Sequence, residues 1–187
     1  MLKKLFLLCL FLAFYIQAEE KINAEKPGIY MGRQIAWTMH ATAADWLIRN
    51  GREREESAKE MLAALELKPG MVVADVGCGI GYHALPMALT VGETGKILCV
   101  DVQQAMLDRL KLRAEKAGIK NYEAILGEYE DPKLPENSVD LILLVDSYHE
   151  FNKPQEMLAA MRKSLRKDGV IVLLEFRKED NSVPIKE

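Results

Sequence analysis

The chain has 187 residues, 49% of them hydrophobic and 28% charged, with a formal net charge of −3. Those are ordinary globular values, with room for one α/β domain plus an N-terminal extension. Three cysteines exclude a disulfide framework, and a slightly acidic, interspersed charge pattern offers no phosphate-binding surface, so nucleic acid is not an expected partner.

The chain opens with Lys3 and Lys4 before the apolar run Leu5–Ile16, then Gln17-Ala18. A basic start, a short apolar stretch and a small residue at the end describe a secretory signal peptide over residues 1–18. The expected location is therefore periplasmic or secreted, with an uncleaved membrane anchor through residues 5–16 as the alternative. Residues 19–51 are read as an N-terminal cap segment carrying Tyr30, Trp37, His40 and Trp46. Trp37, His40 and Ala41 share a helical face, and packing on the outside of the domain competes with shaping a site entrance.

The main domain is expected over residues 52–187. Glu53–Leu67 reads as one helix with Ala58, Met61, Leu62 and Leu65 as its apolar stripe, and its Arg52–Glu56 start as a solvated charge run. Pro69-Gly70 ends it. Val72–Tyr82, VVADVGCGIGY, then runs strand, glycine turn, helix, the opening of a nucleotide-binding βαβ unit. Alanine at Gly77, Gly79 or Gly81 would meet a bound ligand or require an unfavourable φ.

Tyr82–Leu89 continues as a helix that tolerates Pro86 in its first turn. A strand over Lys96–Asp101, a helix over Gln103–Ala117 stopped by Gly118, and a strand over Tyr122–Leu126 follow. Val139–Val145, VDLILLV, has the continuous apolar character of a central strand buried on both faces. Pro154 opens a helix closed by Lys167-Asp168-Gly169, and Val170–Phe176 is the fifth strand. The fold class is α/β: a three-layer, doubly wound, mostly parallel five-stranded sheet. Cys78 and Cys99 read as free thiols acting as small apolar residues.

Gly79, Gly81 and Ala84 fit G-x-G-x-x-A, with Asp101 about twenty residues on, as a nicotinamide cofactor would want. That reading leaves Gly77 and Asp75 surplus. The full D-x-G-x-G-x-G pattern resembles motif I of the class I S-adenosylmethionine-dependent methyltransferases, over roughly Lys68 to Phe176.

The resemblance implies S-adenosyl-L-methionine as cofactor and a methyl group passed to a small-molecule acceptor. It implies cofactor contacts from Asp75, Gly77, Cys78, Gly79, Gly81, Asp101, Val102 and Glu128. Asp75 would reach the amino group, Asp101 both ribose hydroxyls and Glu128 the adenine. On the acceptor side it implies Asp146, Tyr148 and His149, with His149 as general base and Tyr148 lining the pocket. Asp146, His149 and Glu150 are also metal-compatible residue types, but further acids downstream are not visible, and no metal is expected.

Members of that family usually continue into a C-terminal β-hairpin, whereas Phe176 stands eleven residues before Glu187. The expectations that follow are an incomplete acceptor pocket and a fifth-strand edge covered by a second copy or a partner. An NAD(P)-dependent oxidoreductase and a non-catalytic, truncated cofactor-binding domain stand as alternatives.

Overall fold

The computed structural model describes residues 28–176. The expected signal peptide, the first part of the cap segment (19–27) and residues 177–187 lie outside the described residues. No helix among the described residues is long and apolar enough to cross a membrane.

A small antiparallel hairpin, β1 (Ile29–Tyr30) and β2 (Arg33–Gln34), leads into a 3-10 helix at Ala41–Ile48. The main sheet is built from β3 (Val72–Val76), β4 (Lys96–Asp101), β5 (Tyr122–Leu126), β6 (Val139–Val145) and β7 (Leu165–Leu174). Its order is β5-β4-β3-β6-β7, every pair parallel. The chain winds outward from β3 to β5, then crosses back to lay β6 against β3. The switch in direction opens a crevice beyond the carboxyl ends of β3, β4 and β6.

Alternate strand residues feed two cores, which makes the three layers. Val73, Ile97, Cys99, Leu141 and Leu143 meet α3 (Ala84–Val91) and α4 (Gln104–Ala117). Ala74, Leu98, Val100, Ile142 and Leu144 meet α5 (Pro154–Ser164). Both faces of β3 and β6 are covered, which is why their sequences are continuously apolar rather than alternating.

Three expectations are corrected. The helix expected over Glu53–Leu67 is two, α1 (Arg52–Glu56) and α2 (Ala58–Ala64), broken where Ser57 takes a left-handed backbone at φ 47. Serine is a mediocre helix former, and the break frees α1 to serve its own ion pairs. Arg52 is accordingly not on a solvated face. It is 6% exposed, with Nε 2.6 Å from Glu56, Nη1 donating to the Leu47 carbonyl, and its guanidinium 4.1 Å from the Tyr82 ring centroid.

The fifth strand begins at Leu165 rather than Val170. Leu165 pairs with Val139 and Val170 with Leu141, so the Lys167-Asp168-Gly169 stretch expected to end a helix is a bulge inside β7. Arg166 in that bulge holds Asp140, whose Oδ2 also accepts the Val72 N–H at 2.7 Å. Among the described residues no strand pairs with the outer edge of β7, where Val170, Leu173 and Leu174 are exposed.

Candidate active site

The crevice is a cleft of about 1110 Å³ of empty space, open to solvent at its mouth. Asp75, Gly77, Cys78, Gly79, Asp101, Val102, Glu128 and Asp146 all line it; Gly81, Tyr148 and His149 do not.

The bend after β3 shows why its glycines are needed. Gly77, Gly79 and Gly81 have φ of 82, 53 and 77, a region costly for residues with a Cβ. An added Cβ at Gly77 would stand 2.6 Å from the Ser147 Cβ, one at Gly79 2.9 Å from Leu47, and one at Gly81 3.1 Å from Leu110. The obstruction is the protein's own packing, not only a ligand as the sequence suggested. Gly81 is a packing residue beneath α4.

Asp101, at the end of β4, stitches this bend in place. Its Oδ2 accepts the Gly79 N–H at 2.9 Å and its Oδ1 the Gln103 N–H at 2.8 Å, and the Val102 backbone also bonds the carboxylate. Burial pushes its carboxyl up, against the pull of those backbone donors.

Asp75 is 3% exposed, and its Oδ2 is buried with no partner. Burial, reinforced by Asp101 and opposed by Arg52 and the Ala84 backbone, pushes its carboxyl up to about 7. His83 stands on the same side of the cleft, 7% exposed, and both ring nitrogens lack partners. Burial and then Arg52 bring its pKa down to about 4, so the ring is neutral at physiological pH. Buried polar atoms are nearly always paired. An orphan acceptor and two orphan imidazole nitrogens lie together at one end of the cleft, beside the Arg52 cation that Glu56 and the Leu47 carbonyl hold.

At the other end, Val102, Met106, Glu128 and Tyr129 form the wall. The Glu128 carboxylate is mostly exposed and pairs with Lys133 at 3.1 Å.

A third wall of the cleft follows from a single turn of 3-10 helix at Tyr148–Glu150. With three residues per turn, positions three apart eclipse, so Ser147 and Glu150 face the cleft together and Tyr148 and His149 do not. Tyr148 packs edge-on to Phe151 at 5.7 Å and lies under the Arg33 guanidinium at 4.8 Å. His149 is bound to Glu175, Nδ1 to Oε2 at 2.6 Å, and that bond raises its pKa. The ionisable groups that do line the cleft here are Asp146, pushed up to about 6 by burial and then Glu175, and Glu150, pushed up to about 7 by burial. The sequence did not single out His83, gave Arg52 only as part of a solvated charge run, and gave Glu150 only as a metal-compatible residue. For Arg52 the (i, i+4) glutamate at position 56 was the available signal; for Glu150 it was the three-residue spacing from Ser147.

A strap from the cap segment crosses the mouth. The Ala36 N–H donates to the His149 carbonyl and the Met39 N–H to Glu150 Oε1, while Gln103 bonds both the Met39 carbonyl (2.8 Å) and the Ala41 N–H (3.0 Å). Trp46 lines the cleft beneath Arg49, whose guanidinium is 3.6 Å from its ring. Trp37 is 64% exposed, and His40 caps the 3-10 helix through the Thr42 N–H, so neither packs on the domain's outer face.

Comparison with known proteins matches residues 67–186 to the family described as "Methyltransferase domain". Nocamycin O-methyltransferase of Saccharothrix syringae is 30% identical over 116 residues, 62% of this chain and 41% of that protein. A ubiquinone/menaquinone biosynthesis C-methyltransferase of Azotobacter vinelandii is 25% identical over 165 residues, 84% of this chain and 64% of that protein. The crystal structure of a SAM dependent methyltransferase from Aquifex aeolicus superposes with a TM-score of 0.74 at 27% identity, covering 78% of each chain. The chain spans roughly half the length of the curated relatives it matches, from 41% to 64% in these two.

Proposed function

Because the chain belongs to the methyltransferase-domain family, we propose that it binds S-adenosyl-L-methionine in this cleft and transfers the methyl group to a small-molecule acceptor. The observation that carries this reading is the buried, unpaired Asp75 oxygen beside the unpaired His83 ring at the glycine bend. Asp75 accepts the ammonium of the cofactor's amino-acid end, while Arg52 and His83 face its carboxylate. Asp101 offers its remaining acceptor capacity to the ribose, and the wall at Val102 and Glu128 borders the base.

When bound, the cofactor supplies an electrophilic methyl on a sulfonium. The protein's share is to align a nucleophile with it, keep water out and take up a proton where the acceptor must lose one. The strap from Ala36 to Ala41 narrows the mouth, and Glu150, fixed by the Met39 N–H, is the carboxylate placed to receive that proton. Acidic walls suit a cationic donor.

The full chain carries its Lys3-Lys4 and Leu5–Ile16 start as a proposed export signal, and a second copy on the β7 edge is the proposed assembly. Calorimetric titration with S-adenosylhomocysteine, and with NADH as control, tests the central reading. Saturable binding of the first alone is expected; binding of NADH instead reverses it.

A further inference from the structure

Where β6 and β7 end, three side chains from separate parts of the chain converge: Asp146, His149 and Glu175. One ligand atom of each lies within 4.8 Å of the others. Glu175 is held from both sides, since Oε1 accepts the Tyr148 N–H at 2.9 Å while Oε2 meets His149 Nδ1 at 2.6 Å. The Asp146 carboxylate accepts no hydrogen bond among the described residues, and its backbone sits at φ 48, a conformation aspartate tolerates better than most residues. Asp146 lines the main cleft and also a second cavity of about 430 Å³, whose walls include Glu55, Glu56 and Glu175. That cavity gives an ion a route in, past glutamates that are paired with Arg49 and Arg52.

We propose that Asp146, His149 and Glu175 form a binding site for a divalent transition-metal ion at the boundary between the two cavities. One imidazole with two carboxylates is a mixed nitrogen and oxygen set, which suits zinc, manganese or cobalt better than the all-oxygen preference of magnesium or calcium. Donors about 2.1 Å from a shared ion sit roughly 3–4 Å apart. The His149–Glu175 pair therefore opens by several tenths of an ångström and gives up its shared proton to solvent when the ion enters. The Tyr148 N–H, a donor outside the coordination set, keeps Glu175 oriented throughout. None of the three ligands is a proposed cofactor contact, although Asp146 also lines the main cleft, so ion binding and cofactor binding are read separately.

The experiment is a titration of the full chain with Mn²⁺, followed by electron paramagnetic resonance, with Zn²⁺ as competitor. One Mn²⁺ per chain is expected, displaced by Zn²⁺. Affinity falls by about tenfold or more in His149→Ala and in Glu175→Gln, and holds in Glu123→Gln on the opposite edge of the sheet. Gln at 175 can still accept the Tyr148 N–H, so loss of the ion at an unchanged unfolding temperature separates ligation from folding. An absence of saturable binding at millimolar Mn²⁺, or equal binding by all three variants, overturns the proposal and leaves a His–Glu ion pair only. S-adenosylhomocysteine titrated into the same samples reads the cofactor site separately.

Discussion

The glycine bend and the rim where β6 and β7 end face one cleft, yet they hold their polar groups in opposite ways. At the bend, Asp75 Oδ2 and both His83 nitrogens are buried with nothing to bond. At the rim, His149 and Glu175 satisfy each other and stay partly exposed, at 42% and 28% of their side-chain surface. Each buried, unpaired polar group costs about 1–3 kcal/mol. The bend therefore gives up stability to stay ready for a ligand of fixed charge pattern, and the His149–Glu175 pair gives up none. A preorganised cofactor pole beside an adaptable acceptor side is what a fold needs if it is to keep one donor and vary the acceptor.

The largest expected effect breaks the bend outright. Gly77→Ala puts a Cβ 2.6 Å from Ser147 at a φ of 82, and should cost about 2–3 kcal/mol of stability with loss of cofactor binding, read by thermal unfolding and calorimetry. Next is Asp75→Asn, which removes the anion at the orphan acceptor and should weaken S-adenosylhomocysteine by about 2 kcal/mol, some thirtyfold.

The same variant sharpens the comparison through pH. Native Asp75 keeps its proton to about 7 whereas the unfolded chain loses it near the ordinary value of 3.8. Between those values the native state binds more protons, so this group's contribution to stability is complete below 3.8 and is lost as pH rises to about 7. The groups facing it are Asp101, Arg52 and the Ala84 backbone. Relative to wild type, the Asn variant should gain stability steadily across that window, measured by denaturant unfolding at a series of pH values.

A smaller effect separates the two ends of the cleft. His83→Phe should weaken S-adenosylhomocysteine by about tenfold, or about 1.4 kcal/mol, and leave 5′-methylthioadenosine, which lacks the amino-acid end, unaffected. The smallest lies at the rim. Arg33→Ala removes the cation over Tyr148 and a 3.4 Å bond to the Phe151 carbonyl, and should cost about 0.5 kcal/mol of stability with no change in cofactor affinity.

The bend was legible in the sequence because its signal is local: three glycines, an acid and two flanking elements within eleven residues, each position tied to a backbone requirement. The five parallel strands and the buried character of Val139–Val145 were legible for the same reason. The rim was not, because Glu175 reaches Asp146 and His149 only through the β6–β7 pairing, and no short pattern encodes a partner on the next strand. The bulge in β7 escaped notice because Lys167-Asp168-Gly169 is good turn chemistry wherever it falls. The break at Ser57 escaped because a serine within a helical pattern is commonly tolerated, and nothing local marks its left-handed backbone.

The direct test of the central claim is titration of the full chain with S-adenosylhomocysteine near pH 7, in buffers of differing ionisation enthalpy. An ammonium arriving at Asp75 lowers its pKa from about 7, so one-to-one binding near pH 7 should release about half a proton, and none of that proton in Asp75→Asn. Binding of undiminished strength in the variant, with the same proton count as wild type, would contradict the assignment of Asp75 to the cofactor's amino group and the reading of the bend built on it.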